Sequence, residues 1–524
     1  MSQYTQLERD GLFELTDFAR AELLTSKYYN EDLAPTSVSQ RTWTTYNITT
    51  LWIGLSICIP SLSLGAALIG MGVSPWLSVL NVTLGNLIVL VPIQMNSHAG
   101  TKYGIPFPVF ARMTFGSSGA HLPAMLRGLT ACGWTAIQAW VGGGSIAALI
   151  GIFAPKFLDP TWTMALYGNP NTSIGQFVGF FIFMAIIGWV AYSGFESIKW
   201  VQAIGGPLLV FVILALFVWS VTTASDAGYS MSQVMAQKQD TELINSLGGF
   251  WYIYMAGLTG NIAFWATMAL NIPDFSRYAK SQKVQFWGQL LGMPLPMFLC
   301  AFIGAFFAMS TKLALGQAMF DPTGVFYYVD NKAVVFIAAI GVAAATITTC
   351  VAANVVAPSN GFSNLKPTAI SYKKGVIFTV ILSIFFSPWW IFGSGAAYVF
   401  TWLNNYGIIL APVAAIFIAD YWIVKQKRLD VAGLYAGKSG RYWYKGGWNV
   451  AALIAWAASF ILPLLGNTLF LYDGVGAPGF FDYIAANGYL VSFAIGFFVY
   501  ILLMGKTPQG NVTVEDHEAL TDRQ

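Results

Sequence analysis

Along the 524-residue chain, long apolar stretches alternate with short polar breaks. A helix needs about 20 predominantly apolar residues to cross the hydrocarbon core of a bilayer. That length predicts twelve spans, near 46–72, 75–96, 121–153, 174–194, 199–223, 249–272, 286–309, 334–357, 374–396, 398–424, 447–466 and 484–504. Only "SPWWIFGSGAAYVF" divides the ninth from the tenth, with hardly a polar residue in it. Polar tails flank the set, at 1–45 and 505–524. The pattern predicts an all-α integral membrane protein with twelve transmembrane helices.

Composition strengthens that reading. Hydrophobic residues make up 56% of the chain and charged residues 9%, against about 25% charged in soluble domains. The four cysteines, Cys58, Cys132, Cys300 and Cys350, all lie in apolar stretches, which makes them small buried hydrophobes rather than a disulfide framework. Residues 1–45 are polar and mixed in charge, unlike a cleavable signal peptide.

Lys and Arg set the orientation. Arg41, Lys102, Arg112, Lys199, Arg277, Lys280, Lys366, Lys373, Lys425, Lys427 and Arg441, among others, fall on the face that carries the termini. The opposite loops hold only Lys156, Lys238, Lys312 and Lys332. Both ends are therefore expected in the cytoplasm, with the protein in the plasma (inner) membrane. The N-terminal tail is polar enough to be mobile or to lie on the cytoplasmic surface. The tail "GNVTVEDHEALTDRQ" reads as disordered. The basic-aromatic stretch "YAGKSGRYWYKGGWN" reads as a membrane-interface anchor, with no nucleic acid as partner and no obligate protein partner evident.

Polar groups inside spans are costly and often mark function. No Asp, Glu, Lys or Arg lies in the central part of a span; Glu196, Asp274 and Asp420 sit at span ends, and Arg127 lies near the start of the third. This weighs toward a cation held by neutral oxygens, as sodium is, and away from an intramembrane proton relay; a carboxylate at a span end is the alternative. Pro60 interrupts span one, and Gly257 and Gly260 precede Trp265 in span six. Interrupted helices at matching places in two halves point to a secondary-transporter site, although a kinked helix without a ligand is the alternative for either taken alone. One and six correspond if 46–223 and 249–424 are five-helix units of inverted topology, followed by two extra helices in 447–504. Trp134 and Gln138, four residues apart, share a helix face. Thr348, Thr349 and Asn354 cluster in span eight, where each threonine alone would commonly bond back to its own helix. No phosphate loop, metal cluster or nucleophile beside a base appears, so no enzyme is expected.

The stretches "EDLAPTSVSQRTW", "LWIGLSICIP", "GIPFPVFARMTFG", "CGWTAIQAW", "NIPDFSRYAK" and "ADYWIV" resemble the nucleobase:cation symporter family 1, in family order from about residue 30 to 450. The family carries purines, pyrimidines, allantoin, hydantoins and some vitamins. The resemblance implies a ring substrate sandwiched between Trp134 and Trp265, with Phe264 alongside and Gln138 and Asn354 bonding the ring's amide edge. Trp140 points to another face and reads as packing. The resemblance also implies sodium at the backbone carbonyls of Gly54, Ile57 and Ala345 and the hydroxyls of Thr348 and Thr349. Two positions depart from hydantoin-carrying members: Cys58 stands in place of a glutamine and Cys350 in place of an asparagine. Fewer amides favour a compact base such as uracil, with hydantoins, allantoin and purines open. Sodium symport by alternating access is the expectation; the proton is the alternative coupling ion, and an uncoupled facilitator or channel the competing class.

Overall fold

The computed structural model describes residues 5–193, 195–365, 370–466, 478–505 and 510–523. Lys366 lies outside them, as do the side chains of Glu196 and Lys199. Among the described residues, six helices are long and apolar enough to cross a bilayer: Pro75–Tyr103, Ile174–Ser193, Phe250–Asn271, Gln282–Leu315, Lys332–Cys350 and Ala397–Val424. Two bent pairs raise the number to eight if each is one span, Thr45–Ser56 with Ile59–Gly70 at 53° and Phe480–Ala486 with Gly488–Met504 at 85°.

The other expected segments are helical but shorter or more polar. His121–Gly151 runs for 31 residues, yet its Thr, Gln and Gly content lowers its apolarity. Phe195–Asp226 runs for 32 residues, and Val450–Leu465 is a short apolar segment. The expected ninth span, 374–396, ends at Ile384. Ser387 there takes a left-handed backbone (φ 49°) ahead of Pro388, and both stop a helix.

Span one is interrupted by a 53° bend, while span six keeps its direction over Phe250–Asn271 and is broken only locally; both irregularities are displaced from the residues that signalled them. Span one breaks at Ile57 and Cys58, which are extended (ψ 96° and 163°). Pro60 falls in the first turn of the following helix, where its missing N–H costs nothing. Span six breaks at Phe264 and Trp265, between helices Phe250–Ala263 and Ala266–Asn271, one turn beyond Gly260. Gly257 and Gly260 stay helical because they serve packing: a side chain on Gly257 would come within 2.6 Å of Leu68. The second half of span one packs closely on helix Pro294–Leu315. A Cβ on Gly65 would lie 2.5 Å from the Ala301 carbonyl, and one on Gly304 1.9 Å from that of Leu62. Such small residues let membrane helices approach backbone to backbone.

The described parts of both tails carry regular structure. Strands Gln6–Arg9 and Leu12–Leu15 pair antiparallel through a two-residue Asp10–Gly11 turn with both φ positive, as an Asp-Gly hairpin turn requires. Strand Thr521–Arg523 joins the first strand in parallel. The buried Gln6 amide donates to Thr521 Oγ1 at 2.8 Å. The predicted disorder of the C-terminal tail is therefore corrected: it pairs with the N-terminus. The pairing puts these two tail segments on one side of the molecule.

Candidate functional site

The break in span one exposes polar backbone and one side chain to the interior. Cys58 caps the second half-helix, with its Sγ 3.1 Å from Ser61 Oγ. The Ile53 carbonyl still accepts from Ile57 N–H, but the carbonyls of Gly54 and Ile57 belong to the terminal turn, where intrahelical partners run out.

Facing this break is the helix His121–Gly151. Gly133 makes room for Trp402, whose ring would lie 2.1 Å from any Cβ there. Trp134 is thus wedged edge-on among Phe264, Tyr398, Trp402 and Tyr406, at centroid distances of 5.1, 6.2, 5.9 and 6.2 Å. Gln138, one turn on, accepts from Asn354 Nδ2 at 3.1 Å. Asn354 sits in a π-helical turn, Val351–Val355, which continues helix Lys332–Cys350. Such turns are rare and are frequent at functional sites. The Trp134 helix grips that turn twice more, through Thr135 Oγ1 on the Asn354 carbonyl (2.9 Å) and Arg127 Nη2 on the Ala353 carbonyl (3.3 Å).

The third wall is the break in span six. Phe264 stands nearly perpendicular to both Trp134 and Trp265, 5.1 and 4.9 Å from their centroids. The Trp265 indole N–H donates to Asn86 Oδ1 at 2.6 Å, and Asn86 Nδ2 donates to the Val82 carbonyl at 2.7 Å. Asn86 thereby fixes the Trp265 ring from helix Pro75–Tyr103.

These walls enclose one cavity of about 50 Å³. Cys58, Trp134, Gln138, Phe264, Trp265, Thr349 and Asn354 line it, together with Leu55, Pro60, Arg127, Thr267, Met268 and Ala353. Aromatic rings and two amides lining one cavity suit a flat ring that carries both N–H and C=O groups.

Residues 35–496 match the family described as permease for cytosine/purines, uracil, thiamine, allantoin. The chain belongs to this permease family. It is similar to the purine-uracil permease NCS1 of Arabidopsis thaliana, with 35% identity over 510 residues, 94% of this chain and 80% of that protein. It is also similar to the allantoin permease of Bacillus subtilis (strain 168), with 34% identity over 495 residues, 94% of this chain and 97% of that one. Among solved structures, the inward-facing conformation of Mhp1 shares the fold at a TM-score of 0.73 and 20% identity, over 94% of this chain and 96% of that chain. The protein is a multi-pass membrane permease, not an enzyme.

Within the permease, six of the seven residues expected at the substrate meet in the cavity. Cys350 does not line it: the thiol is fully buried and interacts with Thr135 on the Trp134 helix. Of the five expected sodium ligands, only Thr349 reaches the cavity wall. The Thr348 and Thr349 hydroxyls donate to the carbonyls of Ala344 (2.8 Å) and Ala345 (3.2 Å). Ala345 is buried, Ile57 half-buried and Gly54 exposed. A hydroxyl that donates its proton keeps its oxygen lone pairs for a cation, so the threonines remain fit for the expected role. Trp140 packs against Phe180 and Trp389, away from the cavity. Sequence reasoning missed Asn86, Thr267 and the cavity-facing role of Arg127. Arg127 carried a signal, since it lies seven residues before Trp134 and two helical turns return to the same face.

Proposed function

We propose that this permease imports a nucleobase or related small N-heterocycle, uracil-like in size, by sodium symport with alternating access. The observation that carries the reading is the convergence of Trp134, Gln138, Phe264, Trp265 and Asn354 on one cavity. The ring stacks on Trp134 and Trp265, while Gln138 Nε2 and Asn354 Oδ1, the amide atoms outside their mutual bond, read its edge. Sodium is carried with the ring, held by the carbonyls of Gly54, Ile57 and Ala345 and the hydroxyls of Thr348 and Thr349.

Coupling requires that bound sodium raise affinity for the ring, because only differential affinity shifts a conformational equilibrium. Thr349 offers the link, since it faces the cavity and belongs to the sodium set. Span one offers a second, with Ile57 and Cys58 adjacent at its break. The reading includes twelve spans, two five-helix units of inverted topology, and both termini in the cytoplasm of a plasma-membrane protein. The Lys and Arg distribution supports the orientation, and the paired termini support an even span count.

Purified protein in liposomes tests this reading. Labelled uracil is expected to accumulate above its external concentration under an inward sodium gradient, and to stop when choline replaces sodium at fixed pH. Accumulation that follows an imposed proton gradient instead would transfer coupling to the proton. Equilibration without accumulation would make the protein a facilitator.

A further inference from the structure

Among the described residues, Arg127 is the only charged side chain on the cavity wall. It is 6% exposed, and the native contacts use only part of it. Nη2 donates to the Ala353 carbonyl at 3.3 Å. It also reaches the Asn271 amide oxygen at 3.3 Å when that amide is turned so that its nitrogen donates to the Thr267 carbonyl. Nε and Nη1 are buried without a hydrogen-bond partner. The Asp274 carboxylate acts on the guanidinium charge, but Asp274 Oδ1 is itself taken by the Phe107 N–H at 2.8 Å. Charge is partly compensated while two donors stay unmet, and a buried unmet donor on a charged group is costly.

A guanidinium has donors and no acceptor, whereas Gln138 and Asn354 each present one of both kinds. The amides adapt to a ring by turning over. Arg127 cannot: it donates to a carbonyl oxygen and opposes an amino group. We propose that Arg127 is a substrate-binding residue whose free N–H groups take a ring carbonyl, so that the permease selects oxo-substituted bases over their amino counterparts. The inference rests on the transport reading above and names the substrate class of the same site.

The test is equilibrium binding of two matched pairs, uracil with cytosine and hypoxanthine with adenine, to the purified full-length protein. Wild type is expected to prefer the oxo member by about tenfold or more, the fold-change that corresponds to one buried polar group left unmet. Arg127→Gln, which supplies an acceptor, is expected to reduce that preference to about threefold or less. Arg127→Lys, a donor only, is expected to keep it. The ratio is taken within one preparation, so a loss of folded protein does not move it. A wild-type ratio near one, a ratio unchanged in Arg127→Gln, or its loss in Arg127→Lys overturns the assignment and leaves Arg127 as a clamp on the Ala353 carbonyl. Binding of none of the four bases by wild type overturns the nucleobase reading of the site on which the inference rests.

Discussion

Asn354 Nδ2 donates to Gln138 Oε1 across 3.1 Å, tying the Trp134 helix to the π-helical turn of span eight. The bond joins the two residues expected to read the substrate. Each amide therefore has two tasks, holding its partner and facing the ring.

Removing one amide strands the other. Gln138→Leu or Asn354→Leu alone is expected to cost about 1–3 kcal/mol of stability, while replacing both apolar-for-polar approaches neutrality. Thermal unfolding without ligand should therefore place the double variant above either single one. Uracil binding should be lost in all three. A double variant as unstable as the sum of the singles would mean that the amides do not act as a pair.

Trp134→Ala is expected to weaken uracil by about 1–3 kcal/mol, the range for removing an aromatic platform under a base. Titration calorimetry on detergent-purified protein reads this directly. Trp134→Phe should recover part of the loss, because it keeps an aromatic face.

Asn86 positions Trp265 without lining the cavity. Asn86→Leu should leave the buried indole N–H unmet and lower ring affinity several-fold. Adding Trp265→Phe, which has no N–H to satisfy, should restore the lost stability but only part of the affinity. Melting temperature and uracil affinity measured side by side separate the two effects.

Thr348→Val with Thr349→Val keeps side-chain shape and removes both hydroxyl oxygens. Sodium-dependent enhancement of uracil binding is expected to disappear, with affinity in sodium-free buffer nearly unchanged. Thr→Ser at both positions should retain the enhancement. Persistence of the sodium effect in the valine pair would move the ion elsewhere.

The aromatic and amide elements of the site were legible because their residue types are out of place in a membrane helix. Trp134, Gln138 and Asn354 stood out as polar or amphipathic groups at helical spacing, and family motifs joined them to Trp265. The exact break points were not legible. Pro60 marked span one correctly but two residues late, since proline is most comfortable just inside a new helix. Gly257 and Gly260 marked span six too early, because glycine serves close packing as readily as a bend. Cys350 stays off the cavity wall, at the last regular position before the helix widens at Val351. Asp10–Gly11 did carry a hairpin signal, whereas the C-terminal strand was hidden because three residues that pair across the whole chain leave almost no local pattern.

That last pairing has a consequence for biosynthesis. Gln6 leaves the ribosome 515 residues before Thr521, yet the two share a buried hydrogen bond. The sheet cannot close until every intervening helix has been synthesised and inserted with the correct parity. A chain that missed one crossing would strand its ends on opposite faces of the membrane. The three-stranded sheet therefore closes only in a chain whose paired ends lie on the same face.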